Sequence, residues 1–308
     1  MLNLKYQNKD TAIHGLNALC LFLWIVNVSV FAMILNNPLY LLCLFLCTVP
    51  LVLAARVYRE WLSFMKFAVY LCMVIIVINA LVSNQGAHVL FALPLRIPVL
   101  GRPVVTLEAV VFGVAMSLRL ITIISAFTIL TLVIHPDDLM QTMMKLKLPY
   151  KSVLVTSLCC KFIPSLVDDV DCITDVQRSR GLEMDKGRLL TKIRRRFSIL
   201  IPLLSNSLDK AVQVSEAMEA RAFGTGEGRT FFKELTLSRV DVAMLALGFA
   251  TFVFGMLLLY TGYGDYSYYP QLSAIELSAP GLFRLAGLML LFLSILPLAF
   301  IKRRLDFD

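Results

Sequence analysis

Apolar residues in this chain come in blocks. Six runs approach the ~20 residues that cross ~30 Å of hydrocarbon at 1.5 Å per residue: residues 18–35, 39–55, 64–83, 106–134, 240–260 and 283–301. Runs that are apolar on every side have no face to turn to water. A bilayer accepts them because a helix satisfies its own backbone there. Between the fourth and fifth runs the pattern changes to an amphipathic one. A segment that starts after Leu148-Pro149 and continues through Ile163-Pro164 to about Arg180 puts Leu166, Val167, Val170, Ile173 and Val176 on one face. Asp168, Asp169, Asp171 and Asp175 fall largely opposite. A second segment, from about Leu189 to Ala222, repeats Leu189, Ile193, Phe197, Leu200, Leu204, Leu208, Ala211, Val214 and Met218 at helical spacing. Each contains one proline, Pro164 or Pro202, where a bend is expected. The pattern predicts an all-α polytopic membrane protein. A region of four spans (1–135) and one of two spans (240–308) flank a long helical region (136–239).

Composition supports the bilayer. The 308 residues are 58% hydrophobic, with mean hydropathy +0.78, outside the range of soluble domains. The first run is too long for a cleaved leader and lacks an A-x-A site, so it is read as a membrane helix. The seven cysteines form no C-x-x-C pair or Cys/His ligand spacing. They are read as small apolar fillers.

Charge gives the orientation. Region 136–239 holds seventeen of the 29 Lys and Arg, and the Lys/Arg bias beside membrane spans favours the cytoplasmic side. With that region inside, Lys5, Lys9, Arg56, Arg59, Lys66 and Lys302-Arg303-Arg304 are also inside. Only Arg96 and Arg102 lie outside, with Arg284 at a boundary. Both termini are then expected in the cytoplasm. The net charge of +8 is topological, and no nucleic-acid motif accompanies it.

The two amphipathic segments end alike, in Ser179-Arg180-Gly181 and Ala220-Arg221-Ala222-Phe223-Gly224. Cations suit a last helical turn and glycine suits the position after it, so either arginine can be a plain helix terminus. Small neighbours also leave a guanidinium fork free to enter a partner's groove. Both readings stand on physics alone. Arg119, inside the fourth run and three turns from Glu108, needs a partner on another helix, a carbonyl or another subunit. It is a structural clamp or a substrate contact. His135, Asp137 and Asp138 read as the start of a short helix at Pro136, and the Asp168–Asp171 group as a solvated face, with metal binding the lesser reading of each. The tyrosines at 260, 263, 266, 268 and 269 read as an interfacial belt. Gly224-Thr225-Gly226-Glu227-Gly228-Arg229 lacks the Lys-Ser/Thr of a phosphate loop and reads as a turn. No H-E-x-x-H, Gly-x-Ser-x-Gly or pair of membrane aspartates suggests an intramembrane enzyme.

Two X-Arg-X units closing two successive long helices resemble the signature of the transmembrane (T) component of energy-coupling factor transporters, the family that includes the membrane subunit of cobalt and nickel importers. Further stretches carry the likeness. Asp10-Thr11-Ala12-Ile13-His14-Gly15-Leu16-Asn17 is similar to the family's N-terminal Ser-x-Leu-His-x-Leu-Asp. Ser117-Leu118-Arg119-Leu120 through His135-Pro136-Asp137-Asp138-Leu139 is similar to its fourth-helix arginine and Thr-Thr-x-Pro-x-x-Leu turn. Lys161-Phe162-Ile163-Pro164 is similar to Arg-Phe-Ile-Pro, and Glu216-Ala217-Met218-Glu219-Ala220-Arg221 matches most closely. Departures are His135 where Thr is usual, Lys161 for Arg, Ala-Arg-Ala where Ala-Arg-Gly is frequent, and a missing Pro and Lys near the N-terminus.

The resemblance implies a non-catalytic coupling subunit in a bacterial or archaeal cytoplasmic membrane, with no cofactor of its own. Ser179, Arg180, Gly181 and Ala220, Arg221, Ala222 would each dock one of two ABC-type ATPase subunits. The apolar faces between would carry a small membrane substrate-capture subunit, for uptake of a vitamin or a transition-metal ion. The alternatives are a stand-alone secondary transporter, which calls for inverted repeats and midplane charges, and a conventional ABC permease with one short coupling loop.

Overall fold

A computed structural model of the chain describes residues 11–83, 86–92, 104–135, 138–139, 150–181, 189–224, 238–273 and 279–305. Lys5, Lys9, Asp10, Arg96, Arg102, Pro136, Asp137, Pro149 and the 225–229 turn lie outside the described residues. The chain divides into two compact units: residues 1–139 with 236–308, and residues 140–235.

In the first unit the apolar runs form α1 (Ala18–Ile34), α2 (Pro38–Ala54), α3 (Tyr58–Val82) and α4 (Leu107–Val133). α3, α4 and two later segments are long and apolar enough to cross a membrane. α1 and α2 have 17 residues each, about 25 Å of helix. Asn17 and Asn37 start them, each side chain accepting from the N–H two residues on, as N-cap residues do.

α1 is hydrophobic all round and is accordingly buried on several sides, against α2, α4 and the helix over residues 239–260. Trp24 donates its indole N–H to Phe292 O (3.1 Å) and meets the Phe292 ring edge-on. Phe31 lies between Phe252 and Phe292, directly over Gly255. A Cβ there would come within 2.1 Å of the Phe31 ring. α3 and α4 approach closely through small residues, as membrane helices do. Ser117 Oγ donates to Cys72 O (3.3 Å), and Gly113 abuts the Ile76 backbone. The other side of α3 shows Phe67, Tyr70, Met73, Val77 and Ile78, each more than half exposed. Such a surface suits lipid.

The segment between α3 and α4, outside the apolar runs, contains a two-stranded antiparallel pair. β1 (Val89–Ala92) meets β2 (Val104–Thr106) with Val89 opposite Thr106. Glu108, fully buried, accepts from the backbone N–H of His88 (3.1 Å) and lies 2.8 Å from its Nδ1. Alternation within a short apolar run was too weak a signal to separate these strands from their surroundings.

Residues 240–260 belong to α7 (Arg239–Tyr260), whose Ser238 and Asp241 form a capping box. The last run forms one candidate span, Ala279–Arg304, interrupted at Ser294 into α8 (Ala279–Leu293) and α9 (Ile295–Leu305). Pro297 explains the break, having no N–H to give to the carbonyl four residues back. Lys302 on α9 reaches Asp241 at 2.8 Å, with the aspartate 1% exposed, and so ties the end of the chain to the start of α7.

The tyrosine-rich loop is no simple belt. Tyr260 is 91% exposed, but Tyr268 is buried and donates to Asn36 O (2.6 Å). Gly264 O accepts from the N–H groups of Asn36 and Asn37, and Ser83 Oγ donates to the Tyr269 hydroxyl (2.7 Å). The loop folds down onto the α1–α2 turn and supplies the partners that turn needs.

Candidate docking site

The second unit is a pair of helices, α5 (Tyr150–Ser179) and α6 (Leu189–Ala220). Pro164 and Pro202 lie inside them, each removing one hydrogen bond from an otherwise continuous ladder. No residue of α6 between 197 and 220 is buried. Phe197, Ile201, Leu204, Leu208 and Val212 are 54–71% exposed except where Leu200, at 42%, completes the same stripe. The half-buried residues of α6 are on the adjacent face: Ile199, Leu203, Ser207, Lys210, Val214 and Met218.

Asp169 departs from the expected solvated face. It lies with Leu166, Val170 and Ile173 on the half-buried side of α5 and contacts Lys210 Nζ at 2.5 Å, while Lys210 also donates to Ser165 Oγ (2.8 Å). Asp168, Asp171 and Asp175 remain exposed. Among the described residues no group of three or more His, Cys, Asp or Glu could hold a metal ion. Near His135 the chain turns helical, with Asp138 and Leu139 N–H both donating to His135 O.

The two helix ends share one geometry. α6 closes with Ala222 N–H on Glu219 O (2.8 Å) and Phe223 N–H on Met218 O (3.0 Å), the paired bonds of a Schellman cap. Arg221 is then the C-cap residue, and Ala222, at φ 55°, takes the left-handed place usually held by glycine. α5 closes with Gly181 N–H on Arg178 O (2.9 Å) and Gly181 at φ 84°. Arg180 is therefore also a C-cap residue followed by a left-handed one. All six residues of the two X-Arg-X units are exposed. Among the described residues neither guanidinium has a side-chain partner. Ser179 Oγ turns back to Asp175 O (2.9 Å), which leaves the neighbourhood of Arg180 small. Each arginine thus caps the C-terminal end of a long helix and is exposed there.

Arg119, in the first unit, donates through Nη2 to Leu35 O (2.9 Å) and Asn36 Oδ1 (3.0 Å). Leu35 is the residue that ends α1, so the guanidinium covers a helix C-terminus, where carbonyls lack intrahelical partners and the dipole is negative. Lys210, Asp241 and His88 were not singled out from sequence. Their roles depend on partners 41, 61 and 20 residues away, and no local spacing encodes those.

An all-α bundle of apolar helices, joined in one chain to a pair of long amphipathic helices, defines a polytopic helical membrane protein. A family model described as cobalt transport protein, CbiQ, matches residues 9–231, a range that takes in α1 to α6 and both arginine-capped ends. The energy-coupling factor transporter transmembrane protein EcfT of Bacillus selenitireducens is 28% identical over 255 residues, 79% of this chain and 91% of that protein. EcfT of Lactococcus lactis subsp. cremoris is 30% identical over 244 residues, 76% of this chain and 89% of the relative. EcfT of Streptococcus thermophilus is 37% identical over 152 residues, 46% and 58% of the two chains. The chain belongs to this family, the transmembrane components of energy-coupling factor transporters.

Proposed function

We propose that this chain is the coupling subunit of an energy-coupling factor importer. It docks one ABC-type ATPase at Ser179-Arg180-Gly181 and a second at Ala220-Arg221-Ala222, and passes their motion to a substrate-capture subunit. The ATPases hydrolyse the ATP. The observation that carries the reading is the matched pair of caps: each arginine is an exposed C-cap residue at the tip of a long helix, followed by a left-handed residue. An uncommitted guanidinium between small residues can enter a groove and pair with carboxylates or carbonyls. The stripe of Phe197, Ile201, Leu204, Leu208 and Val212, exposed on α6, is the seat of the capture subunit, whose pocket sets whether a vitamin or a metal ion is carried. The protein lies in the cytoplasmic membrane with both termini and the α5–α6 unit inside.

The test is co-purification. Arg180→Ala with Arg221→Ala leaves the chain folded but without ATPase partners, and each single change weakens one of the two contacts. Retention of both ATPases by the double variant refutes the docking assignment. For the orientation, a cysteine at position 196 reacts with a membrane-impermeant maleimide in inverted vesicles and stays unlabelled in intact cells. Efficient labelling of intact cells reverses it.

A further inference from the structure

Two observations on α5 and α6 are not explained by docking alone. The first is where the helices are fastened to each other. Lys210 of α6 contacts Asp169 Oδ2 at 2.5 Å and Ser165 Oγ at 2.8 Å, two acceptors one helical turn apart. The lysine is 33% exposed and the aspartate 21%. Among the described residues no other ion pair joins the two helices. The second is the position of that fastening. Asp169 precedes Arg180 by eleven residues, and Lys210 precedes Arg221 by eleven. At 1.5 Å per residue both arms are about 16 Å long.

We propose that Lys210, held by Asp169 and Ser165, is the pivot on which α5 and α6 swing, giving the two arginine tips equal leverage. The inference rests on the docking reading, since two tips need two loads to balance. The chemistry suits a pivot. An ammonium is a compact point charge with rotatable donors on a flexible stem, so its contacts survive rotation of one helix against the other. A guanidinium, planar and fixed in its fork, would hold a single angle. Partial burial strengthens the pair relative to a solvated one, because the effective dielectric falls. The face that carries Lys210 is also distinct from the exposed apolar stripe, so the pivot and the capture subunit's seat do not compete for the same residues. Lys210 is a positioning residue, acting through Asp169 and Ser165.

The experiment measures the angle. Spin labels go on Val176→Cys and Ala217→Cys, near the two tips but outside the X-Arg-X units. The exposed native Cys159 and Cys172 are replaced, and the full chain is reconstituted in nanodiscs with its co-purifying ATPases. Electron-electron distances are read with ADP and with a non-hydrolysable ATP analogue. The native pair gives a narrow distribution that moves with nucleotide. Lys210→Ala and Asp169→Ala broaden it at least twofold, and the reversed pair Asp169→Lys with Lys210→Asp restores the width. Lys210→Arg keeps the distribution narrow but cuts the nucleotide-dependent movement by at least half, an effect that a merely structural ion pair would not show. Native widths in the alanine variants, a reversed pair as broad as they are, or full movement in Lys210→Arg each overturn the pivot. ATPases co-purify with every one of these variants, because Arg180 and Arg221 are untouched. If none co-purifies with the native chain, the docking reading fails, and the widths measured on the chain alone still decide whether Lys210 fixes the crossing.

Discussion

Replacing Arg119 by leucine removes both hydrogen bonds that it makes to the α1–α2 turn, at 2.9 Å to Leu35 O and 3.0 Å to Asn36 Oδ1. In soluble proteins hydrogen bonds to charged groups contribute ~1.5–3 kcal/mol each. Polar contacts inside membranes measure lower, ~0.6 on average and ~1.7 at most, because the unfolded chain in lipid also finds partners. Two bonds on the membrane scale give about 1–3 kcal/mol. The loss of a cation from a helix C-terminus adds about 0.3–1 kcal/mol. Arg119→Leu is therefore expected to destabilise the membrane unit by about 2–4 kcal/mol, and Arg119→Lys, whose single ammonium can replace part of the pairing, by about half of that. The assay is reversible unfolding in mixed micelles followed by tryptophan fluorescence, since Trp24 lies in the α1 core. Asn36→Ala in both backgrounds completes a double-mutant cycle, in which the coupling should be about 0.5–1.5 kcal/mol. A leucine variant within ~0.5 kcal/mol of the native protein would refute the clamp and return Arg119 to the set of residues free for substrate or partner.

Two further outcomes follow from the caps and the loop. Ala222 at φ 55° sits where an L-residue costs ~1–2 kcal/mol relative to glycine. Ala222→Gly is expected to stabilise the α6 end by ~0.5–1 kcal/mol, the glycine's backbone entropy offsetting part of the gain, and Gly181→Ala to weaken the α5 end by about 1 kcal/mol; hydrogen exchange at the two helix ends reads both. The Tyr268 phenol is pushed up to about 12 by burial first and by Tyr266 next, against the lowering effect of Arg119. Its folded value lies above the unfolded one of ~10, so its contribution to stability is complete below pH ~10 and is lost as pH rises toward 12. The difference between native and Tyr268→Phe absorbance near 295 nm should stay flat to pH ~11, and ionisation at pH 10 would show that the phenol is not buried.

The spans and the arginine tips were legible because both are local signals. A helix that is apolar all round announces itself in any window, and the runs at 18–35 and 106–134 match α1 and α4 within a residue or so at each end. The X-Arg-X units could be seen because a C-cap residue and its left-handed successor are adjacent. Asp169 shows the limit. At about 100° per residue it falls on the wheel between Ile173 and Val176, and a carboxylate among apolar positions reads as solvated until its partner is known. The answer comes from Lys210, 41 residues on. The tyrosine loop fails for the same reason. Composition says that tyrosines suit an interface, and only the recessed α1–α2 turn turns Tyr268 inward.

That recess also accounts for why two of the membrane helices can be so short. Arg119 stands twelve residues into α4, about 18 Å from its start, yet it reaches the residue that ends α1. The α1–α2 turn therefore stops well inside the length of α4. Irregular backbone at membrane depth is tolerated where protein covers it and its polar groups are paired. Each requirement is met by a different part of the chain. Arg119 takes Leu35 O, Gly264 O takes two turn N–H groups, and the Tyr268 hydroxyl takes Asn36 O. A Cβ at Gly264 would come within 2.8 Å of Leu259 Cδ2 and 2.9 Å of Leu35 Cδ2, so a larger residue there would push both leucine tips aside. A short α1 is thus no defect of a marginal hydrophobic run. It is one half of an arrangement whose other half, the 261–273 loop, comes from the far end of the sequence and pairs the turn's polar groups.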